Sequence, residues 1–261
     1  MSFGIPDVRP RTGSRVERVR LDGSKIPALF ARLVAAELTA SVERSGAATL
    51  CVSFAEELRE PLRALARTNG IPWCLVSLYI GDNCGSQNGA PEGAARGVIE
   101  TLVEPAGIPR PNVHVPRSVG GDIGRAAEEY EASLPSTFDV LVLCAGADGR
   151  VAGLLPHSPA LREGERRVTL LPGEVPERYT LTGRALAASR CTIVLATGLE
   201  KARAVADALE GAIDPARCPA RLVRDAVWLM DHEAASLLTG SWPNDVGAEA
   251  PAERPNTHEP R

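Results

Sequence analysis

Five short apolar runs, separated by stretches of helical periodicity, leave this chain few ways to fold. They are "AATLCVSF" (47–54), "WCLVSLYIGD" (73–82), "FDVLVLCAG" (138–146), "CTIVLATG" (191–198) and "AVWLMD" (226–231). Each has the length of a strand and is apolar on both sides, so it needs cover on both faces of a sheet. The intervening stretches 25–46, 55–70, 92–104, 121–134 and 199–211 carry apolar residues at helical spacing, with Gly46 as a stop for the first and Pro61 restricting the start of the second. Strands separated by helices imply an α/β fold built on a mainly parallel sheet with helices on both faces. "RVERVRL" (16–22) alternates like an edge strand, 112–115 is a short strand, and 232–238 reads as a last helical turn or two. "RRVTLLP" (166–172) and "TLTGRALAASR" (180–190) complete the second group of elements.

At 261 residues the chain is long enough for one sizeable domain, and no stretch has the character of a linker between domains. The expectation is a flexible N-terminus over 1–15, one α/β domain over 16–240, and a disordered tail over 241–261, where Pro and charge are dense and no apolar period is present. A net charge of −4 gives no support for nucleic-acid binding. No apolar run reaches the length of a membrane span and the polar start is not that of a signal peptide, so a cytoplasmic protein is expected.

Six cysteines are present without a C-x-x-C pair. Cys51, Cys74, Cys144 and Cys191 lie in apolar runs and read as packing residues, whereas Cys84 falls in a loop and is the one to consider as reactive. The four histidines show no ligand spacing, so neither a metal nor another cofactor is expected.

Three apolar runs end in polar residues: Asp82 after "LVSLYIG", Asp148 after "LVLCAGA" and Lys201 after "IVLATGLE". In a parallel sheet these ends share one rim, where open α/β sheets bind ligands. Two carboxylates and an ammonium there suit a small polar ligand, although Asp and Gly at strand ends are also ordinary turn chemistry.

Longer motifs go further. "FDVLVLCAGADGRVAGLLPHSPAL" (138–161) resembles the strand and "G-x-G-x-D-G-H-x-x-S-L-F-P-x-S-P-A-L" turn of the 6-phosphogluconolactonase family, a branch of the glucosamine-6-phosphate isomerase/deaminase fold. "VPERYTLTGRALAASRCTIVLATGLEKARAV" (175–205) is similar to that family's "P-x-R-I-T-L-T…G-x-x-K-A" segment, and "AVWLMDHEAASLL" (226–238) to its closing "W-L-L-D-x-A-A". The resemblance spans about residues 16–240. It implies a Rossmann-like three-layer sandwich and hydrolysis of the ester in a phosphorylated sugar lactone, with no metal. Asp82, Asp148, Arg178 and Lys201 match the family's polar positions, and Arg178 and Lys201 correspond to its phosphate contacts.

The departures fall on the chemistry. The family's "S-G-G-S-T-P"-like phosphate loop is "VSFAEEL" here, placing Phe54, Glu56 and Glu57 where small residues cradle a phosphate. The family's "D-E-R" is Asp82-Asn83-Cys84, the following "S-N" is Gly93-Ala94, and the histidine of "D-G-H" is Arg150. An arginine stays protonated and cannot act as a base, but it can bind an anion or an oxyanion. His157 is a stand-in base if its imidazole turns inward, and Asp148 is another if its carboxyl is partly desolvated. Three readings follow: a lactone hydrolase acting on a sugar or sugar phosphate, a non-catalytic binding protein for such a ligand or for another protein, and an amino-sugar isomerase or deaminase in which Glu56 and Glu57 favour an amine.

Overall fold

The computed structural model describes residues 17–84, 93–116, 122–171, 173, 178–212, 214–240 and 245–246. In chain order the strands are β1 (Glu17–Leu21), β2 (Ala48–Val52), β3 (Val76–Ile80), β4 (Asp82–Cys84), β5 (Val113–His114), β6 (Phe138–Cys144), β7 (Val168–Leu171), β8 (Arg178–Leu181), β9 (Ser189–Ala196), β10 (Val227–Asp231) and β11 (Asp245–Val246). The α-helices are α1 (Ile26–Ser45), α2 (Arg59–Ala66), α3 (Gly93–Val98), α4 (Glu104–Ala106), α5 (Ile123–Ser133), α6 (Gly183–Ala187) and α7 (Ala202–Leu209).

Eight strands form a parallel sheet in the order β11-β1-β10-β9-β6-β2-β3-β5. The period-two alternation of strand side chains divides the core into two layers. Leu50, Val52, Val140 and Val142 face one layer with α1 and α2, while Cys51, Leu141 and Leu143 face the other with α5 and α7. This is the α/β sandwich that the apolar runs imply. The second face also carries a three-stranded antiparallel sheet, β4-β8-β7, which the sequence did not announce.

Several expectations need correction. β1 pairs with β10 on one side and β11 on the other, so it is not an edge strand, and part of the tail expected to be irregular is a strand at Asp245–Val246. Residues 1–16 and the rest of the tail lie outside the described residues. The stretch 232–238 forms hydrogen-bonded turns rather than a continuous helix. The Asp231 carboxylate takes the Ala234 N–H at 2.7 Å as at a helix start. After the Ala235 N–H to Asp231 O, however, the bonds shorten to a three-residue spacing, from Ser236 to Glu233 and from Leu238 to Ala235. Residues 99–103 widen into a π turn just before Pro105, which has no N–H to return to Thr101. Cys74 sits exposed in a 3-10 turn rather than packed in a strand, whereas Cys51, Cys144 and Cys191 are buried as expected. Burial pushes the thiols of Cys51 and Cys144 up, away from reactivity. Gly46 does stop α1, in the left-handed conformation with φ +80°.

Candidate active site

The chain runs from β2 outward through β3 to β5, then returns to β6 and continues outward through β9 and β10 on the other side. The strand order therefore reverses between β2 and β6, the kind of crevice where open α/β sheets bind ligands. Adjacent strands lie about 4.8 Å apart, so the carboxyl ends of β9, β6, β2 and β3 fall within roughly 15 Å of one another.

At the ends of β2 and β3 the ladder continues one residue further. The Ser53 N–H donates to Val142 O and the Gly81 N–H to Val52 O, each at 2.9 Å. This extension sets Ser53 beside Asp82, with so little space that a Cβ on Gly81 would meet the Ser53 Cβ at 3.1 Å. The Ser53 hydroxyl donates to the Asp82 carboxylate, and both residues are buried. Asp82 opposes Thr180 across β4 and β8, so Arg178, two residues along, shares its face. Arg178 Nη2 reaches Asp82 Oδ2 at 3.2 Å, and the buried Arg178 Nε has no hydrogen-bond partner among the described residues. Burial raises the Asp82 pKa; the Ser53 hydrogen bond, Arg178 and the charge of Arg150 oppose that rise without cancelling it.

After β6 a tight turn carries the second pair. Gly149 takes φ +83°, and a Cβ on Gly146 would come within 2.6 Å of Arg150 Cγ and 2.8 Å of Asp148 Oδ1, so the turn admits only glycine at both places. Arg150 Nε donates to Asp148 Oδ1 at 2.9 Å and to Oδ2 at 3.0 Å, and the Arg150 N–H donates to Oδ1 at 3.1 Å. Partial burial pushes the Asp148 carboxyl up, but these bonds and the guanidinium charge outweigh it, and the net shift is downward. Asp148 is therefore held as a carboxylate: the partial desolvation that would raise its pKa is present, and Arg150 outweighs it. The turn is fixed to β8 by the Gly153 N–H on Thr180 Oγ1 at 3.0 Å.

The third pair stands at the end of β9. Lys201 is buried in the 3-10 turn Leu199–Lys201 and forms an ion pair with Glu57, which also accepts a hydrogen bond from Thr197 Oγ1 at 3.4 Å. Burial lowers the Lys201 pKa to about 8, and the charge of Asp231 works against that fall. Asp231 also accepts from the Gly198 N–H at 2.9 Å, holding the turn that presents the lysine.

Of the residues singled out from sequence, Asp82 and Arg178 meet directly, Asp148 and Arg150 meet directly, and the Arg150 charge reaches Asp82. Lys201 is on the same rim but bound to Glu57. His157 is exposed at φ +61°, its N–H on Ala216 O at 2.7 Å, and among the described residues its side chain makes no hydrogen bond or ion pair. It does not turn inward. Cys84 lies in β4 with its backbone opposite Arg178, not in a loop, and its side chain is outside the described residues. Ser53 and Asp231 complete the site and were not singled out from sequence as its members, and Glu57, named there as a departure from the phosphate loop, joins them. Ser53 carried a signal, as a hydroxyl near the end of the apolar run 47–54; the pairing of Glu57 with Lys201 had none. No group of three or more His, Cys, Asp and Glu side chains gathers as a metal site among the described residues, and none of their helices is long and apolar enough to cross a membrane.

Fold and candidate site together define an open-sheet α/β protein with a cluster of charged side chains at the reversal of its strand order. Residues 22–230 match the family of glucosamine-6-phosphate isomerases and 6-phosphogluconolactonases, and the chain belongs to that family. It is 33% identical over 237 residues to a 6-phosphogluconolactonase of Streptomyces coelicolor, covering 82% of this chain and 90% of that protein. It is 27% identical over 218 residues to one of Synechocystis, covering 78% and 90%. Its fold matches the crystal structure of a 6-phosphogluconolactonase from Shewanella baltica with a TM-score of 0.73 at 22% identity, over 84% of this chain and all of that one. A monomeric glucosamine-6-phosphate deaminase matches with a TM-score of 0.73 at 19% identity, over 85% of this chain and all of that one, so the fold serves both branches.

Proposed function

We propose that this chain is a cytoplasmic enzyme of carbohydrate metabolism that hydrolyses the ester of a sugar lactone, using protein side chains without a metal or other cofactor. The observation that carries the reading is the Ser53–Asp82–Arg178 cluster, which puts a buried carboxylate of raised proton affinity at the strand-order reversal. Relatives covering most of the chain are named for lactone hydrolysis. In this reading Asp82 accepts the proton of an attacking water as the water oxygen bonds to the lactone carbonyl carbon. The carbonyl oxygen gains charge beside Arg150, whose guanidinium stabilises it. The ring C–O bond then breaks, and Asp82 returns the proton to the departing alkoxide, so the carboxylate ends as it began. Asp148 orients Arg150, and Ser53 and Arg178 orient Asp82.

The amino-sugar reading loses its support, because Glu56 is engaged by Arg59 and Glu57 by Lys201, leaving neither for an amine. The binding-protein reading draws on Arg150, which cannot replace a histidine as a base. The test that separates it is lactone opening measured against spontaneous hydrolysis, with wild type, Asp82→Asn and Asp148→Asn compared. Acceleration by wild type that Asp82→Asn removes supports the hydrolase. No acceleration of glucono-1,5-lactone or its 6-phosphate by folded wild type leaves the binding protein.

A further inference from the structure

Each cation of the site already has a carboxylate supplied by the chain itself. Arg150 holds Asp148, Arg178 holds Asp82 and Lys201 holds Glu57, while the charge of Asp231 also reaches Lys201. Three cations therefore face four carboxylates before any ligand arrives, and these seven side chains offer a doubly charged headgroup no surplus positive charge.

Glu57 is built into this balance. The stretch after β2 is filled by its own partners: the Phe54 ring packs so tightly on Gly97 that a Cβ there would overlap it. The Arg59 guanidinium lies 5.7 Å from the Phe54 ring and binds Glu56, with Nη2 on Oε2 at 2.9 Å. Thr197 and Lys201 both contact the same oxygen of Glu57, Oε1, and the lysine side chain is only 8% exposed against 25% for Glu57. A phosphate approaching that buried ammonium would have to expel Glu57 or share the lysine with it, and two negative groups on one buried cation repel strongly.

We propose that Glu57 sets the charge of the substrate, so that the site takes an uncharged sugar lactone and turns away its phosphate ester. The proposal rests on the lactone-hydrolase reading and names its substrate class. Gluconate and 6-phosphogluconate differ only by the phosphate, and titrating each into wild type, Glu57→Gln and Glu57→Ser by calorimetry isolates that group. Wild type is expected to bind the phosphorylated compound no tighter than gluconate, and both variants to gain about tenfold or more for 6-phosphogluconate alone, the scale of one charge-assisted contact. Glu57→Gln keeps the size and an acceptor for Lys201, so it remains informative if the serine variant folds poorly. In parallel, wild type should open glucono-1,5-lactone with a higher kcat/KM than its 6-phosphate.

Tenfold or greater preference of wild type for the phosphorylated compound, unchanged in Glu57→Gln, overturns the proposal. If wild type also opens the phosphorylated lactone faster, the hydrolase reading survives that defeat. If neither lactone is opened while the glutamine variant still gains phosphate affinity, the hydrolase reading fails and the exclusion by Glu57 stands.

Discussion

Two aspartates at the site show how environment divides one side chain between two tasks. Asp82 is buried and its pKa rises even with Ser53 and Arg178 against it; Asp148 is more exposed, and Arg150 takes its pKa down. The ionised form of Asp82 is the one that accepts a proton, so kcat/KM should fall as pH drops through its raised pKa. The acid limb is thus expected above the ordinary aspartate value of about 3.9, and Asp82→Asn should lose activity by roughly 10²-fold or more, with an unchanged melting profile as the control for folding. Arg150→His tests the other pair. It restores a titratable base on the turn, and lactone opening should rise at least about tenfold with a new acid limb near or above about 6.5, since Asp148 favours the imidazolium. A variant with no new limb would show that the turn does not contact the reacting atoms. The stability change should be small, because the Arg150–Asp148 pair is substantially exposed and such pairs contribute about 0–1 kcal/mol.

At the scale of elements, the site depends on turns that join neighbouring strands. Asp231, at the end of β10, takes the Gly198 N–H and the Ala234 N–H, so it ties β10 to the turn that carries Lys201. Asp231→Ala leaves both donors without that acceptor and should cost about 1–3 kcal/mol, read as a lower urea midpoint. It also removes a charge that favours the Lys201 ammonium. The ammonium should then lose its proton at a lower pH than in wild type, which a pH titration of the lysine side chain by NMR would show. The antiparallel sheet is the element least visible beforehand. β4 and β8 are three and four residues long and far apart in the chain, and no local periodicity signals their pairing. Yet that register alone puts Arg178 on Asp82. The stretch 232–238 failed in the opposite direction: it has helical composition and a cap at Asp231, but its later backbone bonds span only three residues and no regular helix propagates.

For the whole molecule, stability and site share the central strands. Leu50 on β2 is fully buried between α1 and the neighbouring strands, and β2 leads directly into Ser53 and Glu57. Leu50→Ala should cost about 2–5 kcal/mol through lost burial and a cavity, seen as a lower urea midpoint at an unchanged slope. A changed slope would mean that the sheet no longer unfolds as one unit. The sequence by itself determined the parallel sheet, its cover on both faces and the rim that bears Asp82, Asp148 and Lys201. These follow from apolar periodicity and from the residues that end each run, which are local properties. Only the tertiary structure decided which carboxylate meets which cation. Asp82 with Ser53 and Arg178, and Glu57 with Lys201, are joined by strand order and antiparallel register across 29, 96 and 144 residues of chain. Coulomb attraction and burial act on distance in space, and spacing along the chain carries no record of it.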